Sequence, residues 1–491
     1  LVTSLTGYCL YRFRETKAMS MGQFLELRVD ALVSDGRGLG RHDGVVVLVE
    51  DALPGQLVRA RVAAVRKSLA EAALVEVLER SPDEQEPPCP HAGRCGGCSW
   101  QSLAYGRQLA WKERIVHDAL ERVGKMACPP MLPILPSPSE WGYRNKMEFA
   151  FGVSGDGGKA LGLRERGSRN IVEVTGCLLQ TPLTMRVLEA VRMLSNGAFH
   201  DLDGRFLVVR EPNAGGCFVE LIVGAGGSLE AGERFAAALR AETPEVTGFA
   251  LSERLAPSDV AYGERALYAD GRLEERIGDV RLQMGHNAFF QVNAPAAELL
   301  YAEAARFAAL EELPDPVLWD VYGGVGSIGL YMGRNARVVG IEEMPGAVRY
   351  ARGNAKALGR KAYKVEQGDA KSVLGRLVKL GPKPDVVVVD PPRAGIDAKV
   401  AQQQLQIGRI ERAQALFGRY HVVLVVYVDG HSVPARALDG VLRDVGDLAH
   451  CHRKRHAPRR REQFFVGAAL TQGRAHMDDR QPECARLLHE S

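Results

Sequence analysis

Three thiols stand within ten residues in Cys89-x5-Cys95-Gly96-Gly97-Cys98. A soft cation or an iron-sulfur cluster is held by thiolates, and the paired glycines let the backbone curl so that the sulfurs converge on one centre. A fourth ligand must come from elsewhere, and Cys177, in Thr175-Gly176-Cys177, is the best choice because the remaining cysteines stand in unremarkable contexts. Spacing alone leaves zinc and an iron-sulfur cluster level, with unligated cysteines as the bland alternative. With either metal the site reads as a folding staple, since a centre fully ligated by thiolates keeps no open position for substrate.

A second group begins at Asp320-Val321-Tyr322-Gly323-Gly324-Val325-Gly326-Ser327-Ile328-Gly329, where an apolar run gives way to glycines and then to a helical pattern. Glycines in a strand-to-helix turn allow close backbone approach to a nucleotide-type cofactor. Glu342 ends the next apolar run, where an acid can accept hydrogen bonds from both ribose hydroxyls of an adenosine moiety. NAD and S-adenosylmethionine are served alike by this arrangement, and a tight turn without ligand is the bland alternative. A later run, Val386 to Val389, ends in Asp390-Pro391-Pro392-Arg393, which puts a carboxylate and a stiff basic loop at the carboxyl edge of a sheet.

These groups need scaffolds, and the apolar pattern supplies them. From residue 317 the order strand, glycine turn, helix, strand, helix, strand predicts a doubly wound α/β domain with a Rossmann-like parallel sheet over 286–470, followed by a tail over 471–491. Residues 83–285 mix alternating and helical stretches and predict a central α+β domain carrying the cysteines, with one long amphipathic helix over 101–124. Residues 21–82 show short alternating runs broken by Gly36-Arg37-Gly38 and Pro54-Gly55, the pattern of a small β-barrel. Residues 1–20 differ in character and are read as a disordered or upstream extension, with Met19 and Met21 as alternative starts.

Composition sets outer limits. The chain has 491 residues, 46% hydrophobic and 25% charged, enough for several cores and incompatible with wholesale disorder. Sixty-three Lys and Arg against 60 Asp and Glu leave a net charge of +3, so a nucleic-acid partner must be argued from local features. Nine cysteines are too sparse for a disulfide scaffold. Without a run of 18 or more uncharged apolar residues, the expectation is a soluble, cytoplasmic, monomeric protein with no membrane partner.

Taken together, the motifs resemble the RNA uracil-5-methyltransferase family. Residues 24–80 look like its TRAM domain, an OB-like barrel that binds RNA; Cys89 to Lys112 looks like the cysteine segment of members carrying a four-iron four-sulfur cluster; Trp141 to Gly152 is similar to the motif opening the central domain. Phe289 to Asn293, the glycine turn, the Glu342 segment and Asp390-Pro391-Pro392-Arg393 are similar to the catalytic-domain motifs. The resemblance implies S-adenosylmethionine bound by Gln291, Tyr322, Glu342 and Asp390, a 4Fe-4S cluster rather than zinc on Cys89, Cys95, Cys98 and Cys177, and an RNA substrate, ribosomal RNA ahead of transfer RNA.

Two expected groups are missing from that pattern. Uracil C5 accepts a methyl group only after a nucleophile adds at C6, and the family supplies a strand-end cysteine for it. Here the strand VVLVVYV runs into Asp429-Gly430-His431, so Gly430 stands at the cysteine position. The family's proton-abstracting glutamate is also unmatched, Glu462 being the nearest acid, and Cys451 is a distant stand-in for the thiol. A catalytically inactive RNA- and cofactor-binding homologue is therefore the alternative function. The basic runs Arg453-Lys454-Arg455 and Arg459-Arg460-Arg461 suit phosphates or solvent equally.

Overall fold

The computed structural model describes residues 19–66, 69–123, 128, 131–155, 158–224, 227–256, 259–391, 400, 421–425 and 465–467. The chain divides into two compact units, one of residues 1–85 with 102–104, the other of 86–101 with 105–491.

In the first unit, strands β1 (Phe24–Leu32), β2 (Gly38–His42), β3 (Val45–Glu50), β4 (Leu57–Arg66) and β5 (Leu69–Glu79) close into a barrel in the order β1-β2-β3-β5-β4. Strict alternation along β1 sends Leu25, Leu27 and Val29 inward, where they meet Val47, Val49, Val58 and Val62. Closure pairs β3 with β5 in parallel and leaves no open edge among these five strands.

The second unit starts with helix α1 (Tyr105–Asp118), which ends in a π-helical turn over Ala119–Val123. The helix expected over 101–124 therefore begins later than the pattern suggested. Residues 102–104 instead pair with 83–85 through Gln85 N to Ser102 O (2.9 Å) and the Glu84–Leu103 bridge, so Leu103 is buried in the first unit.

A seven-stranded sheet follows, built from β6 (Lys146–Val153), β7 (Lys159–Arg164), β8 (Ile171–Val172), β9 (Gly204–Arg210), β10 (Cys217–Val223), β11 (Val246–Glu253) and β12 (Arg265–Asp270) in the order β12-β11-β10-β9-β6-β7-β8. Helices α2 (Pro182–Asn196) and α3 (Leu229–Glu242) start on capping hydroxyls of Thr181 and Ser228 and contribute Val187, Leu188, Phe235 and Leu239 to the core over this sheet. A hairpin, β13 (Leu273–Ile277) with β14 (Val280–Met284), leads out of it.

Helix α4 (Ala294–Ala308) opens the last region, its first turn capped by Asn293 Oδ1 accepting from Ala296 N at 3.1 Å. Then come β15 (Val317–Val321), α5 (Ser327–Met332), β16 (Arg337–Glu342), α6 (Pro345–Ala357), β17 (Tyr363–Gln367), α7 (Ala370–Leu380), β18 (Val386–Val389), β19 (His421–Val425) and β20 (Phe465–Gly467). All adjacent pairs are parallel, in the order β17-β16-β15-β18-β19-β20. Every residue of β15 and β18 is buried, as befits strands covered on both faces. Leu318, Val386 and Val388 pack with α4 and α5, while Val317, Trp319, Val387 and Val389 pack with α7. Among the described residues no helix is long and apolar enough to cross a membrane.

Candidate cofactor site and four-cysteine cluster

The parallel sheet reverses its chain order between β15 and β18, the place in an open α/β sheet where ligands lie beyond the strand ends. Tyr322 follows β15, Glu342 ends β16 and Asp390 follows β18, so three of the four sequence-predicted cofactor residues stand at the carboxyl ends of adjacent strands. Gln291 comes from a separate segment. Its neighbour Phe290 and the α4 residue Ala294 share a core with Val325 and Ile328, which anchors that segment to the glycine turn. Phe289, by contrast, is 73% exposed.

The turn is held by hydrogen bonds within the sheet end. Gly323 N donates to Ile341 O at 3.0 Å and Gly326 N to Gly323 O at 2.8 Å. The Glu342 carboxylate accepts from Gly324 N at 2.9 Å with one oxygen and from Met344 N at 2.8 Å with the other, and each oxygen keeps a further lone pair for an external donor. Tyr322 adopts φ 67°, a left-handed conformation that costs a non-glycine residue about 1–3 kcal/mol. Gly324 has φ 56°, and a Cβ built on it would meet nothing within 4 Å, so the backbone face beside Glu342 is open to a ligand. These donors, acceptors and the open backbone fit an adenosine-bearing cofactor.

Beneath the turn lies a residue the sequence reading quoted without giving it a role. Asp320 is fully buried, its Oδ2 accepts from Gly329 N at 2.9 Å, and among the described residues its Oδ1 has no hydrogen-bond partner. Burial, opposed by the Gly329 bond and helped by the Glu342 charge, pushes its carboxyl up to about 7. Asp390 is raised well above the usual carboxylate range by the same desolvation and by the charge of Asp320. Tyr363 on β17 completes this layer: its buried hydroxyl would lie 2.8 Å from a Cβ on Gly326 and 2.9 Å from one on Gly340. An acid inside the otherwise apolar run VLWDV was the available signal for Asp320; Tyr363 carries none.

Cys89, Cys95, Cys98 and Cys177 are drawn to one neighbourhood. The Cys98 thiol is pushed up to about 12, mostly by burial, with the charges of Cys177, Cys95 and Cys89 adding to it; Cys95 and Cys177 are raised by the same causes. Cys128 lies elsewhere, sensing Glu121. His91 Nε2, 3.1 Å from Thr175 N, ties the 89–98 segment to the segment of Cys177, and Arg166, between β7 and β8, donates to Cys98 O. Gly97 N donates to Cys95 Sγ at 3.4 Å. The donor set, four thiols, suits a soft metal centre. Yet among the described residues no group of three or more His, Cys, Asp or Glu side chains is arranged to hold a metal ion, so the expected cluster is not part of what the structure establishes. Gly430, Cys451, Glu462, the basic runs near 453–461 and Arg393 lie outside the described residues.

A TRAM domain model matches residues 20–75, the stretch that forms the barrel from β1 to most of β5. A precorrin methyltransferase domain model matches residues 301–410, across the glycine turn and Asp390. An uncharacterized RNA methyltransferase of Nitratidesulfovibrio vulgaris is 43% identical over 401 residues, covering 78% of this chain and 85% of that protein. The chain belongs to the TRAM-domain RNA methyltransferases. This agrees with the family likeness read from the motifs, and the RNA relative, spanning most of the chain, outweighs the precorrin in the description of the shorter match.

A second relative of this RNA methyltransferase, from Caldanaerobacter subterraneus subsp. tengcongensis and also named an uncharacterized RNA methyltransferase, is 33% identical over 394 residues, 78% of this chain and 86% of that one. Among solved structures, the tRNA (uracil-54, C5)-methyltransferase of Pyrococcus abyssi in complex with S-adenosyl-L-homocysteine superposes with a TM-score of 0.59 at 23% identity, over 77% of this chain and 87% of that chain. That likeness concerns the fold alone.

Proposed function

We propose that this RNA methyltransferase binds S-adenosylmethionine at the carboxyl ends of β15, β16 and β18 and forms 5-methyluridine in RNA, with ribosomal RNA ahead of transfer RNA as substrate. The observation carrying the cofactor half is the Glu342 carboxylate, fixed by Gly324 N and Met344 N beside an open glycine backbone. Its remaining lone pairs accept from the ribose hydroxyls, Tyr322 packs beside the ligand, and Gln291 and Asp390 offer polar contacts. Bound S-adenosylmethionine supplies a methyl group on a sulfonium centre. Asp390, biased toward its protonated form, is suited to donate a hydrogen bond to cofactor or base. The uracil-5 specificity rests on the motif likeness and on the fold shared with the P. abyssi tRNA (uracil-54, C5)-methyltransferase.

The same reading assigns a 4Fe-4S cluster to Cys89, Cys95, Cys98 and Cys177, with zinc as the alternative, as a staple joining the 89–98 loop to the 177 loop. Support comes from Cys98, whose buried thiol senses the charges of Cys177, Cys95 and Cys89. A second function reading has its own observation: Gly430 at the nucleophile position favours a homologue that binds RNA and cofactor without methylating.

One assay separates the two. Transfer of labelled methyl from S-adenosylmethionine to ribosomal and transfer RNA lacking the modification, followed by nucleoside analysis, is expected to yield 5-methyluridine. Cofactor and RNA binding with no labelled nucleoside would replace the enzymatic reading with the inactive one. Labelled nucleoside other than 5-methyluridine would refute the position assigned.

A further inference from the structure

Residues 285–293, Gly285-His286-Asn287-Ala288-Phe289-Phe290-Gln291-Val292-Asn293, carry Gln291 yet form neither helix nor strand. Among the described residues, one backbone hydrogen bond is internal to the segment, Ala288 N to Gly285 O at 2.9 Å. A stretch so poor in internal bonds owes its shape to whatever takes its other polar groups. Four of its carbonyls are taken by Arg210, the last residue of β9, and Asn145, the residue before β6. Arg210 Nη2 donates to His286 O at 3.1 Å and to Ala288 O at 2.6 Å. Asn145 N donates to Val292 O at 2.8 Å, and Asn145 Nδ2 to Gln291 O at 3.1 Å.

The two donors are themselves held in register. Lys146 pairs with Arg210 across β6 and β9, and Asn145 O accepts from Glu211 N at 2.8 Å, so both sit at one end of the same strand pair. Asn145 Nδ2 also donates to Glu275 Oε2 at 2.9 Å, which fixes the amide's orientation. Arg210 is buried, surrounded by Glu148, Glu220 and Glu275, and its Nε has no partner among the described residues. A fully satisfied apolar pair would serve stability better than a buried guanidinium with an orphaned donor. What the guanidinium does supply is two fixed donors aimed at two carbonyls of one irregular segment. His286 adds a third tie, its Nδ1 lying 2.9 Å from Glu220 Oε1 with its ring stacked on Phe218 of β10.

We infer that Arg210 and Asn145 are positioning residues: one end of the β6–β9 strand pair is a template that shapes the Gln291 segment and thereby sets cofactor affinity at a site to which neither residue belongs. The inference rests on the assignment of Gln291 to the cofactor site above. It gives the central domain a role in the pocket beyond housing the cysteines.

The test uses the full holoprotein and three variants, Asn145→Ala, Arg210→Lys and Glu342→Ala. Calorimetric titration with S-adenosylmethionine is paired with amide hydrogen exchange on the free protein. Asn145→Ala and Arg210→Lys are each expected to weaken binding about threefold to tenfold, the scale of one net hydrogen bond. Exchange should accelerate over 286–292 while the amides of 317–342 keep their protection, and saturating cofactor should slow 286–292 again. A merely structural role would raise exchange through β6, β9 and their neighbours. Affinity within twofold of wild type in both variants, with Glu342→Ala weakened, overturns this inference and leaves the cofactor site standing. A wild-type protein that does not bind, or a Glu342→Ala variant that binds as wild type does, refutes the cofactor reading itself; accelerated exchange confined to 286–292 would still show the template acting on the segment.

Discussion

At the carboxyl edge of the parallel sheet, protein groups hold protein groups: Gly323 on Ile341, Gly324 and Met344 on Glu342, Gly329 on Asp320. In the cysteine region the 89–98 loop is tied at its flanks by His91 and Arg166, while Cys95, Cys98 and Cys177 are raised by burial and by the charges of neighbouring thiols. One site is complete before its ligand arrives. The other assembles groups that gain little from one another without a cation among them, because a bound metal turns raised thiols into favoured thiolates. The two regions should therefore respond in opposite ways to removal of their ligands.

The largest effect is expected at the cysteines. Stripping iron from anaerobically purified, brown holoprotein should lower the melting temperature by about 10 °C, since a structural metal's binding energy is folding energy. Proteolysis should then cut within 86–101. A colourless protein carrying stoichiometric zinc would exchange the metal and keep the contrast, whereas metal-free protein of unchanged stability would abolish it. Withholding S-adenosylmethionine should leave the fold as it was.

The next effect lies at the preformed site. Glu342→Ala should weaken S-adenosylmethionine binding about 10-fold to 100-fold while moving the melting temperature by a few degrees at most, because a charged acceptor to hydroxyls is lost at an edge and not in a core. Gly326→Ala sharpens the same point from the backbone side. Its φ of 89° disfavours any side chain, and the new Cβ would stand 2.8 Å from the Tyr363 hydroxyl and 2.9 Å from Leu330 Cδ1. A destabilisation of about 2 kcal/mol is expected in urea titrations, with the m-value unchanged.

These residues also show where sequence was informative. Glu342 and the glycine turn were legible because chemistry and backbone demand fall on the same few letters. The parallel sheet was legible because strands buried on both faces read as VVVV and VLWDV. Strand β5 was not: LAEAALVEVLE is rich in Ala, Leu and Glu, residues that favour helix, and only barrel closure against β3 and β4 makes it a strand. Leu103 fitted a helical period yet is buried in the first unit. Arg210 carried no local signal, and Asn145 stood in the Trp141 to Gly152 motif without a legible role, because the carbonyls they hold lie 76 to 147 residues further along the chain. Tyr322 was picked out for its side chain, and its left-handed backbone was invisible in the letters.

The last effect concerns a proton on β13, where Glu275 meets the Asn145 template. Glu275 accepts from Asn213 N at 2.6 Å, Arg276 N at 2.9 Å and Asn145 Nδ2 at 2.9 Å, but desolvation outweighs these donors and raises its carboxyl from 4.5 to about 7. Between those two values the folded chain keeps a proton that the unfolded chain has released. The contribution of Glu275 to stability is thus fully present below pH 4.5, declines as pH rises toward 7, and stays flat above it. Glu275→Gln removes that decline, so the variant should gain on wild type by about 2 kcal/mol between pH 5 and 7.5, read from urea midpoints at matched ionic strength. Asp320, also raised to about 7, titrates in the same window in both proteins and cancels in the difference. A difference independent of pH would mean that Glu275 stays ionised throughout, its three N–H donors outweighing burial, and the Asn145 template would then be anchored by a permanent charge.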